Sequence, residues 1–453
     1  MTINDDKKWV MALFGVIVLG TALGNLSQTG LNAMMIAICD DFSIETSIGQ
    51  WLTTAYMLVL GITVPLIAFL MSVFTSRNLT AFALTLFAGG CVVSALAPNF
   101  HVLLFGRIIQ AAATGILMPF LMTFVMIRFP AGKKATAMGI AGIALGFAPN
   151  IGPTIGGALV GVWGWRSFFW GLALVAGLFA LICAVCIQSR RDKMPEHKLD
   201  IISFMEIALA FSCILTGMSQ AAIAPLTSFF VWGAVLLGCV LLAMFWARQL
   251  KLTHPLINVH IFQNRTFVSG FWVLNLLFAS FLGVTLLIPL FVEGVQGGSA
   301  LDAGLVMLPA TLVALFMNPL AGILTDKIGV RPVVLVSACF LCIGSIAMVF
   351  CWKSEPFWLL VLLQTIRSIG VSGLIPALSS WHLSMLQPKL VSSGSAASFL
   401  GRQVFASFGT ALMMMCVSSM STVNEIHAFQ CAFDVSAIFA VICAVYAFFR
   451  VRK

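Results

Sequence analysis

The chain has 453 residues, 61% of them hydrophobic and 9% charged, with 24 Lys and Arg against 15 Asp and Glu. A soluble domain is about 25% charged, and a mean hydropathy of +1.08 signals more apolar surface than an aqueous globule can hide. A soluble enzyme and a soluble nucleic-acid binder are both excluded, and the net charge of +9 needs another explanation.

The charges are clumped. None falls in Trp9 to Cys39, in Thr46 to Ser76 or in Ala135 to Trp165. Apolar runs of that length read as membrane-spanning helices. Cutting the chain at Pro, Gly, Asn and Lys/Arg clusters predicts fourteen spans. Spans 1 to 6 cover 9–37, 49–74, 79–97, 101–127, 135–162 and 166–188. Spans 7 and 8 cover 202–222 and 227–247. Spans 9 to 14 cover 267–292, 303–325, 332–352, 357–383, 391–420 and 429–449. Two cuts rest on short breaks, Ala97-Pro98-Asn99 and the segment from Ala221 to Pro225, so thirteen spans is the alternative count.

With the N-terminus in the cytoplasm, alternating spans put nineteen Lys and Arg inside and two, Arg166 and Lys353, outside. The inside set runs from Lys7 and Lys8 through Arg190, Arg191, Lys193 and Lys198 to Arg452 and Lys453. Arg107, Arg367 and Arg402 fall within spans. That asymmetry is the positive-inside bias, it fixes both termini in the cytoplasm, and it accounts for most of the net charge. The first apolar run is too long for a cleavable signal and is the first span. The twelve Cys lie almost wholly within spans, which argues for isolated thiols. The pairs Cys183/Cys186 and Cys339/Cys342 sit among apolar residues with no His nearby, so they read as packing and no metal site is expected.

An internal repeat divides the chain. Pro65-Leu66-Ile67-Ala68 to Arg77 at the end of span 2 parallels Pro319-Leu320-Ala321-Gly322 to Arg331 at the end of span 10, with the same Pro-to-Arg spacing. Two six-helix halves follow, 1–188 and 266–453, with a two-helix insertion at 189–265. Parallel repeats of this kind build one large class of secondary transporters, whose substrate site lies between the halves.

The motifs resemble those of the major facilitator superfamily, and within it the fourteen-span drug:proton antiporters that export quaternary ammonium compounds and lincosamides. The resemblance covers essentially the whole chain. Its most specific piece is span 5, with Gly142, Gly146, Pro149, Asn150, Gly152, Pro153, Gly156 and Gly157, similar to the superfamily's antiporter motif. Gly106-Arg107 with Gln110-Ala111 is similar to its buried-arginine motif. Gly322, Asp326, Lys327, Gly329 and Arg331 fit its cytoplasmic gating loop, to which Arg77 belongs in the first half. There Ser72 and Thr75 replace the acidic residue and the glycine, and Ser27 occupies the span-1 position where many relatives carry an acid. The resemblance implies an all-α integral membrane protein of the major-facilitator fold, needing no cofactor beyond a proton gradient. It also implies that Arg107 takes part in proton transfer.

Elementary physics adds to this. Gly142/Gly146 and Gly157/Gly161 are small-residue pairs that let helices approach closely, and Gly152-Pro153 permits a kink. Arg107 lies roughly 9 Å into its span at 1.5 Å per residue, where an idle charge is costly; its local partner is Gln110, one turn away. Proton coupling needs a titrating group, and the candidates beside Arg107 and Gln110 are Asp434 and Glu293 toward the outer side. Glu206 near the inner side is expected to snorkel to the headgroups. Asp326, Lys327 and Arg331 are expected to form a charge cluster that holds the inner side shut. Gln28, Asn32 and Tyr56 are the expected cavity residues, and Arg367 and Arg402 each suit a carboxylate or an anionic substrate group.

The expected function is a proton-coupled exporter of amphipathic small molecules in the bacterial cytoplasmic membrane, acting as a monomer without nucleic acid. A facilitator or exporter of one endogenous metabolite is the alternative. No GxxxxGK[ST] loop exists for an ATP-driven pump, and no carboxylate or His cluster marks a membrane enzyme.

Overall fold

A computed structural model describes residues 3–188, 199–221, 228–253, 255–298, 300–350, 357–420 and 425–451. They contain fourteen helices long and apolar enough to cross a membrane, so the chain is a multi-pass membrane protein. Spans 1 to 6 are Lys7–Phe42, Trp51–Val73, Ser76–Ala95, Phe100–Arg128, Ala131–Trp163 and Trp165–Cys186. The inserted pair, spans 7 and 8, is Ile201–Ala221 and Phe229–Gln249. Spans 9 to 14 are Arg265–Val295, Gly304–Ile328, Val330–Val349, Phe357–Ser384, Pro388–Ser418 and Ile426–Arg450. Among the described residues there is no strand.

Both short breaks separate helices. At the first, the Asn99 side chain accepts from the Val102 amide and caps span 4, the role asparagine fills best. At the second, 222–227 lie outside the described residues, as do Arg190, Arg191, Lys193, Lys198, Lys353, Arg452 and Lys453. The end of the bundle that carries Lys7, Arg128, Lys133 and Lys327 is called the basic end below.

Span 5 is irregular at a point before Gly152-Pro153. The irregularity is a π-helical stretch at Ile143–Phe147, one turn earlier. Pro149 has no N–H to return to the preceding turn, and the Ala148 amide reaches back to Ile143 O instead. The Asn25 amide of span 1 donates to the Ala144 carbonyl at 2.9 Å in a buried setting. A π-turn with a side-chain partner is how a membrane helix keeps its backbone satisfied around proline.

The repeat is visible in three dimensions. In span 4, fully buried Arg107 donates to the Ser27 carbonyl of span 1 at 3.1 Å. In span 12, buried Arg367 donates to the Ser280 carbonyl of span 9 at 2.6 Å. Glycines bring the same neighbours together in each half: Gly90 abuts Gly106 and Gln110, and Gly344 abuts the Arg367 backbone.

Packing between the halves is lopsided. One buried cluster joins Phe120, Phe124 and Met122 of the first half to Phe267, Leu383, Leu386 and Leu400 of the second. Away from the basic end the clusters are separate. One gathers Leu31, Met34, Phe168 and Phe169, and another Phe291, Val292, Phe429 and Phe433. Toward that far end the flank of span 5 is uncovered, with Gly157, Ala158, Gly161, Val162 and Trp163 exposed.

The inserted pair seals one side of the seam. Phe211 of span 7 lies against Gly61 of span 2, and Ile214 and Met218 cluster with Ala411 of span 13. Its basic-end anchor is Asp200, which Arg248 meets with two nitrogens at 3.1 Å and Ser203 at 2.7 Å. Burial alone would raise the Asp200 carboxyl, but the hydrogen bonds from Arg248 and Ser203 outweigh it and hold the group below the usual carboxylate range. The anchor is therefore present at neutral pH and is lost only as the pH falls through that lowered value.

Adding one methyl tests the seal. Gly61→Ala is expected to push Phe211 aside and lower the melting temperature in detergent, overpacking costing about 1–3 kcal/mol. Gly171→Ala, with open space around it, is expected to leave that temperature unchanged or raise it.

Candidate functional site

The first half encloses a buried polar cluster around Arg107. Its Nη1 donates to Ser27 Oγ at 2.7 Å and to Gln110 Oε1 at 2.9 Å, besides the Ser27 carbonyl. Ser27 Oγ in turn donates to Gln110 Oε1 at 2.8 Å, and Gln110 Nε2 donates to Gly90 O and to Ser94 Oγ. The Tyr56 ring lies 4.2 Å from the guanidinium carbon, and its hydroxyl bonds to Gly24 O and Thr114 Oγ1. Nε and Nη2 of Arg107 are buried without a hydrogen-bond partner.

Arg107, Gln110 and Tyr56 are thus one cluster. Tyr56, expected to line a cavity, is fully buried, because its ring covers the guanidinium and its hydroxyl satisfies a span-1 carbonyl. Asn32 is exposed and Gln28 half-buried; Thr53 donates to Asn32 Oδ1 at 3.4 Å. Asp434 and Glu293 join neither arginine. Asp434 is exposed in an apolar groove of about 340 Å³ with Ile346, Val349, Phe350 and Ile438. Glu293 is exposed at the far end of span 9. Glu206 is half-buried, with one carboxyl oxygen enclosed and unbonded.

Arg367 has its own cluster in the second half, where Nε donates to Ser345 Oγ at 3.2 Å and the ring of Phe281 stands 5.8 Å away. Arg402 sits on the seam. Its Nε donates to Ser398 O at 3.1 Å, and its Nη2 reaches the Met122 sulfur of the first half at 3.1 Å. Rings of Phe278 and Phe399 lie 5.3 Å and 5.7 Å from it. Next to it is His382, fully buried. Its Nδ1 donates to Leu378 O at 2.6 Å, which leaves Nε2 to accept from Ser398 Oγ at 2.9 Å, since a carbonyl can only accept.

Span 5 is notched into both halves. Gly156 and Gly152 abut Gly30 of span 1, while Gly139 and Gly142 abut Asn318 of span 10. Gly146 is in ordinary contact with the same asparagine. The pair Gly157/Gly161 does not mediate an approach as its spacing suggested: Gly157 meets only the Ala33 methyl at contact distance, and Gly161 meets nothing. Both lie on the uncovered flank of span 5.

The charge cluster expected at the basic end takes another form. Gly322 abuts the Ala135 carbonyl, and the Asp326 carboxylate accepts from the Ala135 and Thr136 amides at 3.2 and 2.7 Å and from Thr136 Oγ1 at 2.6 Å. It thereby caps the helix Lys134–Gly142 of the other half, where a carboxylate meets free N–H groups and the positive end of the helix dipole. Lys327 and Arg331 are exposed. Arg77 serves the first half internally, donating to Ile187 O at 3.2 Å. Gly329 takes a φ of +91° ahead of span 11, a conformation that favours glycine. Thr75, at the equivalent turn, is extended and caps span 3 by accepting from the Asn78 amide. Two capping solutions explain why the first loop lacks the glycine.

Asn25, Asn318 and His382 were not singled out from the sequence. The signal was available: each is a polar side chain in an apolar span, where an unpaired amide or imidazole is costly.

A membrane protein of fourteen spans, with span 5 notched against spans 1 and 10, has the architecture of a membrane transporter. Comparison agrees. The profile of the Major Facilitator Superfamily matches residues 17–317 and 273–453, and the chain belongs to that superfamily. It is 33% identical over 438 residues to the uncharacterized MFS-type transporter YcnB of Bacillus subtilis, covering 95% of this chain and 93% of that one. It is 30% identical over 463 residues to the lincomycin resistance protein LmrB of the same organism, covering 98% and 96%. Among solved structures it is similar to the human organic anion transporter MFSD10, with a TM-score of 0.68 at 15% identity and coverage of 97% and 99%.

Two substitutions probe this geometry. Asp326→Ala is expected to speed amide hydrogen exchange across 134–142 by about ten-fold, as loss of a cap worth about 1–2 kcal/mol requires, with Asp326→Asn between the two. Unchanged exchange would show that Asp326 does not cap this helix. Asn25→Ala strands the Ala144 carbonyl and is expected to destabilise the protein by about 1–3 kcal/mol, read as a lower melting temperature.

Proposed function

We propose that this transporter is a proton-coupled exporter of amphipathic small molecules, working as a monomer in the bacterial cytoplasmic membrane with its basic end and both termini in the cytoplasm. The observation that carries the reading is the lopsided seam. The halves share a core and the Asp326 cap at the basic end, and they part toward the other. Breaking one latch while the far ends close is the movement that alternating access needs. Span 5, notched by glycine against both span 1 and span 10, is suited to be the sliding surface.

Orientation follows from the excess of Lys and Arg at one end. The sequence has no nucleotide-binding loop, so active export would draw on an ion gradient, and the Arg107 cluster, with two nitrogens unbonded, is the reading's site of proton linkage. That a relative is named as a lincomycin resistance protein supports an amphipathic drug-like cargo. A second reading, export of one endogenous metabolite without proton coupling, is favoured by Ser27, an uncharged residue hydrogen-bonded to Arg107 where the resemblance places an acid.

Proteoliposomes holding an internal pH dye and an imposed pH gradient separate the two. Addition of amphiphiles is expected to trigger proton flux that Arg107→Ala abolishes. Substrate movement indifferent to the gradient would establish the second reading instead.

A further inference from the structure

The fully buried charged side chains among the described residues are positive. Among the described residues, the buried charged side chains include Arg107, Arg367 and Arg402, and no Asp or Glu is buried. The carboxylates whose side chains are described occupy the ends or the outer surface: Asp40, Asp41, Glu45, Glu293 and Asp434 are exposed, and Asp200, Glu206, Asp302 and Asp326 are half-buried. A charge in low dielectric acts over long distances. On the seam the Asp326 carboxylate is taken up by the Ala135 and Thr136 amides at the basic end, so deeper between the halves the arginines repel a cation and draw in an anion.

The three arginines are not equivalent. Arg107 and Arg367 are fixed inside their own halves by serine carbonyls and hydroxyls. Arg402 lies on the seam, and across it the guanidinium finds only the thioether of Met122. Sulfur of this type is a weak acceptor, whereas guanidinium is matched to carboxylate, sulfonate and phosphate oxygens in a two-point fork. The rings of Phe278 and Phe399 lie 5.3 and 5.7 Å from the same group, apolar surface for an apolar body. Ser398, which receives the Arg402 Nε on its carbonyl and contacts His382 through its hydroxyl, fixes the direction in which the fork points.

We infer that Arg402 is the head-group site for an anionic amphiphile: an organic carboxylate, sulfonate or phosphate with an aromatic or aliphatic body, which displaces Met122 from the guanidinium. The inference rests on the amphiphile-exporter reading and narrows its cargo from cations to anions.

Equilibrium binding needs no gradient, so it tests this assignment independently of proton coupling. The probes are two pyrenes that differ only in the head: pyrenebutyrate and a pyrenebutyl-trimethylammonium. Each is titrated into the intact protein in an uncharged detergent, with quenching of protein fluorescence as the signal. The anionic pyrene is expected to bind at least about ten-fold more tightly than the cationic one. Arg402→Gln is expected to abolish that ratio by weakening the anion alone, and Arg402→Lys, which keeps charge without the fork, to retain part of it. Added phosphatidylglycerol distinguishes sources: competition identifies an anionic lipid as a ligand of the same site, and its absence leaves soluble amphiphiles. Equal binding of the two pyrenes by the unsubstituted protein, no binding of either, or a ratio unchanged in folded Arg402→Gln would each overturn the assignment. Failure of proton flux with anion binding intact would instead overturn the coupling mechanism alone.

Discussion

The constraint on which the structure turns is the burial of guanidinium groups without carboxylates. An uncompensated buried charge costs on the order of 3–5 kcal/mol, so each arginine must be met by other means. For Arg107 the means are a serine, a glutamine and a tyrosine face; for Arg367 they are serines. These partners tie span 4 to span 1 and span 12 to span 9, so the charges that are costly also fix the inner packing of each half. The glycines at 90, 106 and 344 follow from it, because only small residues let the arginine-bearing spans sit this close to their neighbours.

Each half being internally fixed, the proposed movement falls on the surface between them. That surface is built for parting. It is apolar near the basic end, carries one capped helix there, and has separate core clusters on its two sides toward the far end, while the inserted pair closes one flank through Phe211 and Met218. The cap by Asp326 is strong in the closed state, yet its donors are backbone amides that water can satisfy once the end opens. A latch of this kind stabilises one arrangement without leaving an unpaired group in the other.

Most of the architecture was legible in the sequence because a bilayer allows few solutions. Backbone groups in hydrocarbon must bond within a helix, so each charge-free run became a span, with ends agreeing to within several residues. The repeat at Pro65 and Pro319 was legible for the same reason. The polar details were less so. That Tyr56 covers Arg107, that Asp326 caps a helix of the opposite half, and that Asn25 rescues the Ala144 carbonyl are contacts between residues far apart in the chain, and spacing within one span does not encode them. Gly157 and Gly161 show the converse: the small-residue pattern is present, but the neighbour it would admit is absent in this arrangement.

The account's central claim is that the two ends of the seam open reciprocally. Electron–electron distance measurements on paired spin labels test it most directly, one pair at Gly132 and Lys327 on the basic end and one at Val162 and Leu305 on the far end, all exposed positions. As pH or bound amphiphile is varied, the far pair is expected to shorten while the basic-end pair lengthens. Distances that stay fixed at both ends, or that change in the same direction, would contradict it.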